Sequence, residues 1–231
     1  MSQKKLEAHF AAKDPVMAGI VSAVGKYGLA RREPRSVFET LARSIANQQI
    51  SGVVAQRILA RLEALHGGRF PTPAELAAHP AQALRDVGFS FSKVAALQDL
   101  ATKTLDGTLP PDEQISRLDD ESVIERCVAV RGIGRWTAEM LLMFSLGRPD
   151  VLPVGDFGVC NGFRLAYGLK GMPKPKALLE FGERWRPHRS AAAWYLWRAV
   201  DLHREGRLPK RPGRAPRVAI VVSKPKDGGG A

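Results

Sequence analysis

The stretch that decides the fold reads Val130-Arg131-Gly132-Ile133-Gly134-Arg135-Trp136-Thr137-Ala138, and an aspartate follows in Leu152-Pro153-Val154-Gly155-Asp156-Phe157. Gly132 and Gly134 stand one residue apart between two helical segments, so the turn closes one helix and opens the next. Backbone amides at such a helix N-terminus point outward, and the helix dipole favours an anion, which suits the turn to a single phosphate. Ile133, between the glycines, is placed to plug the two helices together. The same Gly-x-Gly also fits an ordinary glycine-ended helix joined to its neighbour. The later carboxylate adds chemistry near an anchored phosphate.

Outward from this turn, helical periodicity dominates. Val37, Phe38, Leu41, Ala42 and Ile45 share one face, as do Val54, Ile58, Leu62 and Leu65 in the next segment. Val94, Leu97, Leu100 and Ala101 repeat the pattern, and Trp194, Trp197 and Val200 repeat it near the end. Breaks fall at Gly67-Gly68, Gly107, Pro110-Pro111, Gly147-Arg148-Pro149 and Pro173. One strand-like run, Val218 to Val222, stands isolated in a basic tail and has no explanation in the sequence. The expected fold is all-α.

The 231 residues are enough for one domain or two lobes sharing a core, and 45% hydrophobic with 25% charged content is ordinary for a globular chain. The charge is not ordinary: 35 Lys and Arg against 23 Asp and Glu leave +12. Residues 204–231 hold eight basic and two acidic side chains, which is half of that excess, so the helical part is itself basic. A polyanionic partner follows from such a balance, with an untargeted basic surface as the alternative. The start, Met1 to Glu7, lacks the apolar run of a signal peptide, and no stretch suffices to span a bilayer. Two cysteines, Cys127 and Cys160, cannot build a disulfide framework, which points to a reducing cytoplasm. No His or Cys spacing fits zinc.

Cys127 through Ala138 together with Pro153 to Asp156 resembles the helix-hairpin-helix glycosylase superfamily, and within it the DNA-3-methyladenine glycosylase II group. Three further stretches agree with that group: Ser44 to Ser51, resembling its glutamine-containing loop; Gly88 to Ala95, resembling its Gly-x-Ser-x-x-Lys-Ala turn with Val94 in place of Ala; and Trp185 to Ser190 followed by Trp194 to Arg198, resembling its closing helix. The similarity spans about residues 36–203. It implies two helical lobes with a cleft between them over residues 1–205, with a central lobe at about 36–145; the Pro-, Gly-, Lys- and Arg-rich composition of 206–231 separately predicts a basic, mobile tail. Only about 35 residues precede the matching core, so the extra N-terminal α/β region of some group members is not expected.

The resemblance also implies roles. Asp156 matches the catalytic aspartate: a glycosidic bond breaks through an oxocarbenium-like sugar, which a nearby carboxylate stabilises, and the same group can orient or deprotonate water. By its position alone Asp156 is also a good helix N-cap. Trp136 stands where bifunctional members carry a Schiff-base lysine, so hydrolysis without strand cleavage is expected. Its indole suits a cationic alkylated purine, or else supports the hairpin from the core. Met140 and His188 complete the expected base pocket; both depart from the aromatics that relatives can carry. Gly132, Gly134, Arg135 and Thr137 are expected at the DNA backbone. Gln49 is the expected wedge that fills the gap left by a flipped base, with Gln48 and Ser51 beside it, unless these residues only cap two helices. Lys93 and Arg189 are expected at phosphates or helix ends, with a solvated or ion-paired role as the alternative. No cofactor is implied, although the carbonyls of Val128 and Val130 are a place for a monovalent cation in a DNA complex. The expected protein is a monomeric, cytoplasmic, nucleoid-associated enzyme on double-stranded DNA with damaged bases and no membrane partner. It would release alkylated purines such as 3-methyladenine and 7-methylguanine and leave an abasic site. A glycosylase for another damaged or mismatched base, and a non-catalytic helix-hairpin-helix DNA-binding protein, stay open as alternatives.

Overall fold

The computed structural model describes residues 2–29 and 35–210. Among these are thirteen α-helices, one 3-10 turn and no strand. In chain order they begin with α1 (Gln3–Lys13), α2 (Pro15–Val24), α3 (Val37–Asn47), α4 (Gly52–Ala64), α5 (Pro73–Ala78), α6 (Ala81–Val87) and α7 (Phe91–Leu105). There follow α8 (Asp112–Ile115), α9 (Asp120–Val128), α10 (Arg135–Phe144), α11 (Phe157–Tyr167), α12 (Pro175–Gly182), the 3-10 turn (Glu183–Trp185) and α13 (Arg189–Arg204). The apolar run 218–222 and the basic stretch after residue 210 lie outside the described residues. None of the described helices is long and apolar enough to cross a membrane.

Residues 31–147 form one compact unit. Its core is the one the periodicity predicts on α3 and α7: Val37, Phe38, Leu41, Ala42 and Ile45 are buried, as are Val94, Leu97, Leu100 and Ala101. On α4 the inward stripe is rotated. Ala55, Ile58, Leu59 and Leu62 are buried, whereas Val54 and Leu65 are exposed. The expected and observed stripes share Ile58 and Leu62, so spacing alone does not choose between them. Packing of α4 against α3 and α6 does.

The second unit brings the N-terminal residues 1–30 together with the chain from Arg148 onward. A buried carboxylate ties it. Asp14, 2% exposed, caps α2 by accepting the Val16 and Met17 amides at 3.1 and 3.2 Å. Its other oxygen accepts the Tyr167 hydroxyl at 2.7 Å and the Trp185 indole N–H at 2.9 Å. A buried charge is tolerated when several donors satisfy it, as here. Burial and the Asp14 carboxylate together push the Tyr167 hydroxyl far above the usual phenol range, so it stays a donor.

In the same unit α11 and α13 cross at backbone contact. A Cβ added to Gly162 would sit 2.0 Å from the carbonyl oxygen of Leu196. The buried face of α13 is accordingly Ala192, Tyr195, Leu196, Ala199 and Leu202, rather than the expected Trp194, Trp197 and Val200, which are only half-buried.

His188, at the start of α13, packs edge-to-face on His9 of α1 with ring centroids 4.8 Å apart. Nδ1 of His188 and Nε2 of His9 are buried without a hydrogen-bond partner. Burial, then the neighbouring His9, hold the His188 pKa below the ordinary imidazole value, partly opposed by Asp150. The folded state therefore disfavours protonation that the unfolded chain accepts, so this contribution is present above the unfolded pKa of about 6.5 and is lost as pH falls. We expect the melting temperature to fall between about pH 7 and pH 5, and His188→Phe to flatten that fall in thermal melts. An unchanged pH profile in the variant would remove His188 as the cause.

Candidate functional site

The glycine turn forms as the sequence predicts. α9 ends at Val128, Gly132 adopts φ 78°, a left-handed conformation that glycine alone takes without strain, and Gly134 is the N-cap of α10. Ile133 is buried between the helices, while Gly132 and Gly134 are exposed. No side chain caps α10, so its N-terminal amides keep the dipole's positive end toward whatever approaches the turn. The Val130 carbonyl accepts the Ile133 amide at 3.1 Å.

The hairpin is held from outside. Asp99 of α7 accepts the Arg131 amide at 2.7 Å and the Lys103 ammonium at 2.9 Å, and Lys103 also donates to the Ala129 carbonyl. Burial alone would raise the Asp99 pKa, but these donors outweigh it and hold the carboxyl below its usual range. Gln48 donates its side-chain amide to the Gly132 carbonyl at 2.9 Å, which joins the glutamine loop to the hairpin. Gln49, exposed beside it, has φ 57° and is the sole described non-glycine residue with positive φ. A left-handed residue of this kind costs about 1–2 kcal/mol and persists only where its surroundings impose it. Ser51 caps α4 through the Val54 amide at 3.4 Å. The loop, the α6–α7 turn and the hairpin together line a cavity of about 500 Å³ that includes Gln48, Gln49, Ser90, Ser92, Lys93 and Gly132.

Other residues of this unit are placed less as expected. Trp136 is 50% exposed on α10, and Met140 one turn on is half-buried. Phe144, a further turn along at the same i, i+4 spacing, is also half-buried and extends the stripe. Thr137, expected at the DNA backbone, is buried, and its amide donates to the Gly134 carbonyl at 3.0 Å. Arg135 is paired with both oxygens of Glu121, at 2.9 and 2.5 Å, and with Glu139 at 3.1 Å. Lys93 sends its ammonium back to the Ala46 carbonyl at 2.7 Å, closing the end of α3, and burial lowers its pKa. Cys127 is buried and its thiol is pushed up to about 12, which makes it inert.

Asp156, in the other unit, is the N-cap of α11 and half-buried. One oxygen accepts both the Val159 amide and the Trp197 indole N–H, each at 2.8 Å. Trp197 reaches it because α11 carries no side chain at Gly158: a Cβ there would meet the indole at 2.7 Å. The expectation that Asp156 serves as a cap is met, and the Trp197 bond fixes the carboxylate beyond what a cap needs. The neighbouring Cys160 thiol is raised to about 11 by burial and then by Asp156, so it does not compete as a nucleophile. Phe157, next in sequence, is exposed.

Arg189, expected at a phosphate or helix end or else in an ion pair, is 9% exposed and takes the ion-paired role. It pairs with Asp150 at 2.9 and 3.1 Å, with the Asp150 carbonyl at 2.8 Å and with Glu183 at 3.2 Å. A guanidinium this buried is satisfied by its own fold, not by an incoming strand. His188, expected in a base pocket, likewise serves the joint between α1 and α13. The residues that sequence reading missed, Trp197 and Gly158, leave one faint signal. Gly158 and Gly162 form a Gly-x-x-x-Gly on one helix, the pattern that lets two helices approach closely.

A helical chain with a glycine hairpin at Gly132 and Gly134 and an N-capping aspartate some twenty residues later belongs, by comparison with known proteins, to a DNA-repair class. Residues 42–187 match the model of the HhH-GPD superfamily base excision DNA repair proteins, and the chain belongs to that family. It is 38% identical over 203 residues to DNA-3-methyladenine glycosylase 1 of Schizosaccharomyces pombe, covering 87% of this chain and 89% of that one. The solved structure of that yeast's 3-methyladenine DNA glycosylase in complex with abasic DNA superposes with a TM-score of 0.74, over 86% of this chain and 97% of its own. A Bacillus halodurans DNA-3-methyladenine glycosidase, 33% identical, gives a TM-score of 0.79 over 89% and 92% of the two chains. The chain is thus a base excision DNA glycosylase.

Proposed function

We propose that this glycosylase hydrolyses the bond between deoxyribose and alkylated purines in duplex DNA, 3-methyladenine first among them, without a lyase step. The observation that carries the reading is Asp156, whose carboxylate is held by two N–H donors on a rigid helix end. Alkylation at N3 or N7 makes the purine cationic, so the base departs as a neutral molecule with the electron pair of the glycosidic bond. The sugar is left cationic, and Asp156 stabilises it while water adds at C1′ and gives up a proton. The amides around Gly134 hold a backbone phosphate, and Gln49 fills the gap left by the extruded nucleotide. Trp136 at the lysine position supports hydrolysis alone, since no amine is there to form a Schiff base.

A panel of single-lesion duplexes, scored for abasic sites and for strand breaks, tests this. Release of methylated purines with intact strands is expected. Release confined to oxidised or mismatched bases would replace the substrate, and strand cleavage would replace the mechanism. Trp136→Ala is expected to slow release of cationic bases about 2- to 30-fold more than that of neutral hypoxanthine, the range a cation–π contact spans. A uniform loss in single-turnover assays would make the indole a structural prop.

A further inference from the structure

His66 and His79 place their Nε2 atoms 2.9 Å apart, with ring centroids separated by 5.0 Å and ring planes at 84°. They lie thirteen positions apart in the chain and meet because two helix ends converge. His66 stands just beyond α4, and its amide donates to the Glu63 carbonyl at 2.9 Å. His79 is the C-cap of α5, and its carbonyl accepts the side-chain amide of Gln98, on α7, at 3.2 Å. Both backbones are thus anchored, while both residues are only half-buried and neither is sealed from solution. Arg69, the nearest cation in sequence, is held by both oxygens of Glu75, so its charge is already compensated.

A hydrogen bond between two imidazoles needs one Nε2 protonated and the other bare. When both rings carry their hydrogen on Nδ1, two bare lone pairs face one another, and a cation between them turns that repulsion into binding. Distance selects the cation. Imidazole nitrogens bind zinc and its neighbours at about 2.0–2.1 Å, and at that length two nitrogens 2.9 Å apart subtend about 90° at the ion. That is the cis angle of a tetragonal copper(II) or nickel(II) centre, whereas tetrahedral zinc needs the nitrogens about 3.3 Å apart. No third His, Cys, Asp or Glu completes the set among the described residues, so the other positions fall to water.

We propose that His66 and His79 form a two-histidine site for a divalent transition-metal ion, copper(II) or nickel(II) in preference to zinc(II). The ion clips the end of α4 to the end of α5 within the unit of residues 31–147. Neither histidine lines the cavity beside the glutamine loop, and the inference stands apart from the glycosylase reading.

The test titrates untagged wild type, His66→Gln, His79→Gln and His203→Gln with CuCl2, NiCl2 and ZnCl2 by calorimetry in a non-chelating buffer. His203 is exposed on α13 and serves as the control. Wild type and His203→Gln are expected to bind one ion, while each of the other variants loses about 10²-fold or more in affinity, the advantage that a second tethered ligand confers. Nickel above zinc is the signature of the geometry, since copper exceeds both at most nitrogen sites. The electron paramagnetic resonance spectrum of copper-loaded wild type should be tetragonal with coupling to two nitrogens. Nickel at about 100 times its dissociation constant should raise the wild-type melting temperature by about 5–10 °C and leave His66→Gln and His79→Gln unmoved. Wild-type affinity in either of these variants overturns the proposal, as does an equal loss in His203→Gln, zinc bound more tightly than nickel, or a copper spectrum with a single nitrogen. The nitrogen count in wild type decides the matter even if a variant fails to fold.

Discussion

Asp156→Asn is expected to reduce base release about 10²- to 10³-fold, the range seen when one preorganised charge-stabilising group is removed, while binding to abasic-analogue duplex stays within a few-fold of wild type. The substitution isolates charge from geometry. Asparagine is as good an N-cap as aspartate, and its amide oxygen can accept the same Val159 and Trp197 N–H groups. What disappears is the negative charge that the proposed mechanism sets against the developing oxocarbenium. Single-turnover release of methylated purine, measured beside a binding isotherm, separates the two. Release at the wild-type rate would reduce Asp156 to a helix cap.

Gly162→Ala carries the largest expected effect on stability. The new methyl would stand 2.0 Å from the Leu196 carbonyl oxygen, a backbone atom of a packed helix that cannot step aside as a side chain can. The helices α11 and α13 must separate, and overpacking of this kind costs about 3 kcal/mol, or roughly 6–12 °C in melting temperature for a chain of this length. Catalysis falls as well. Trp197 follows Leu196 on α13, and moving that helix takes the indole N–H away from Asp156. Thermal denaturation and single-turnover release measured on the same preparation check both consequences. A variant that melts within a degree or two of wild type would show that the helices do not depend on this contact.

Much of the hairpin was legible without coordinates. The positive φ of Gly132, the buried Ile133 and the opening of α10 at Arg135 follow from a few neighbouring residues and from the freedom of glycine. The caps Ser51, Ser90 and Asp156 are local for the same reason, since each bonds an amide three residues ahead. The charged candidates were less legible. Residue type marks Arg135, Arg189 and Lys93 as able to hold a phosphate, but a guanidinium or ammonium is satisfied equally by a carboxylate or carbonyl of its own fold. Glu121, Asp150 and the Ala46 carbonyl reach them from 14, 39 and 47 residues away.

An all-α fold, its hairpin and the helix cap at Asp156 were written in spacing and turn chemistry, because each depends on interactions a few residues long, whereas the catalytic role expected of that carboxylate came only from the family resemblance. The indole that grips that carboxylate was not so written, nor was the face α13 buries. Those follow from how closely two helices cross, and that distance is set by a hydrogen atom on Gly162 where any other residue would carry a side chain, meeting a carbonyl more than thirty positions further on.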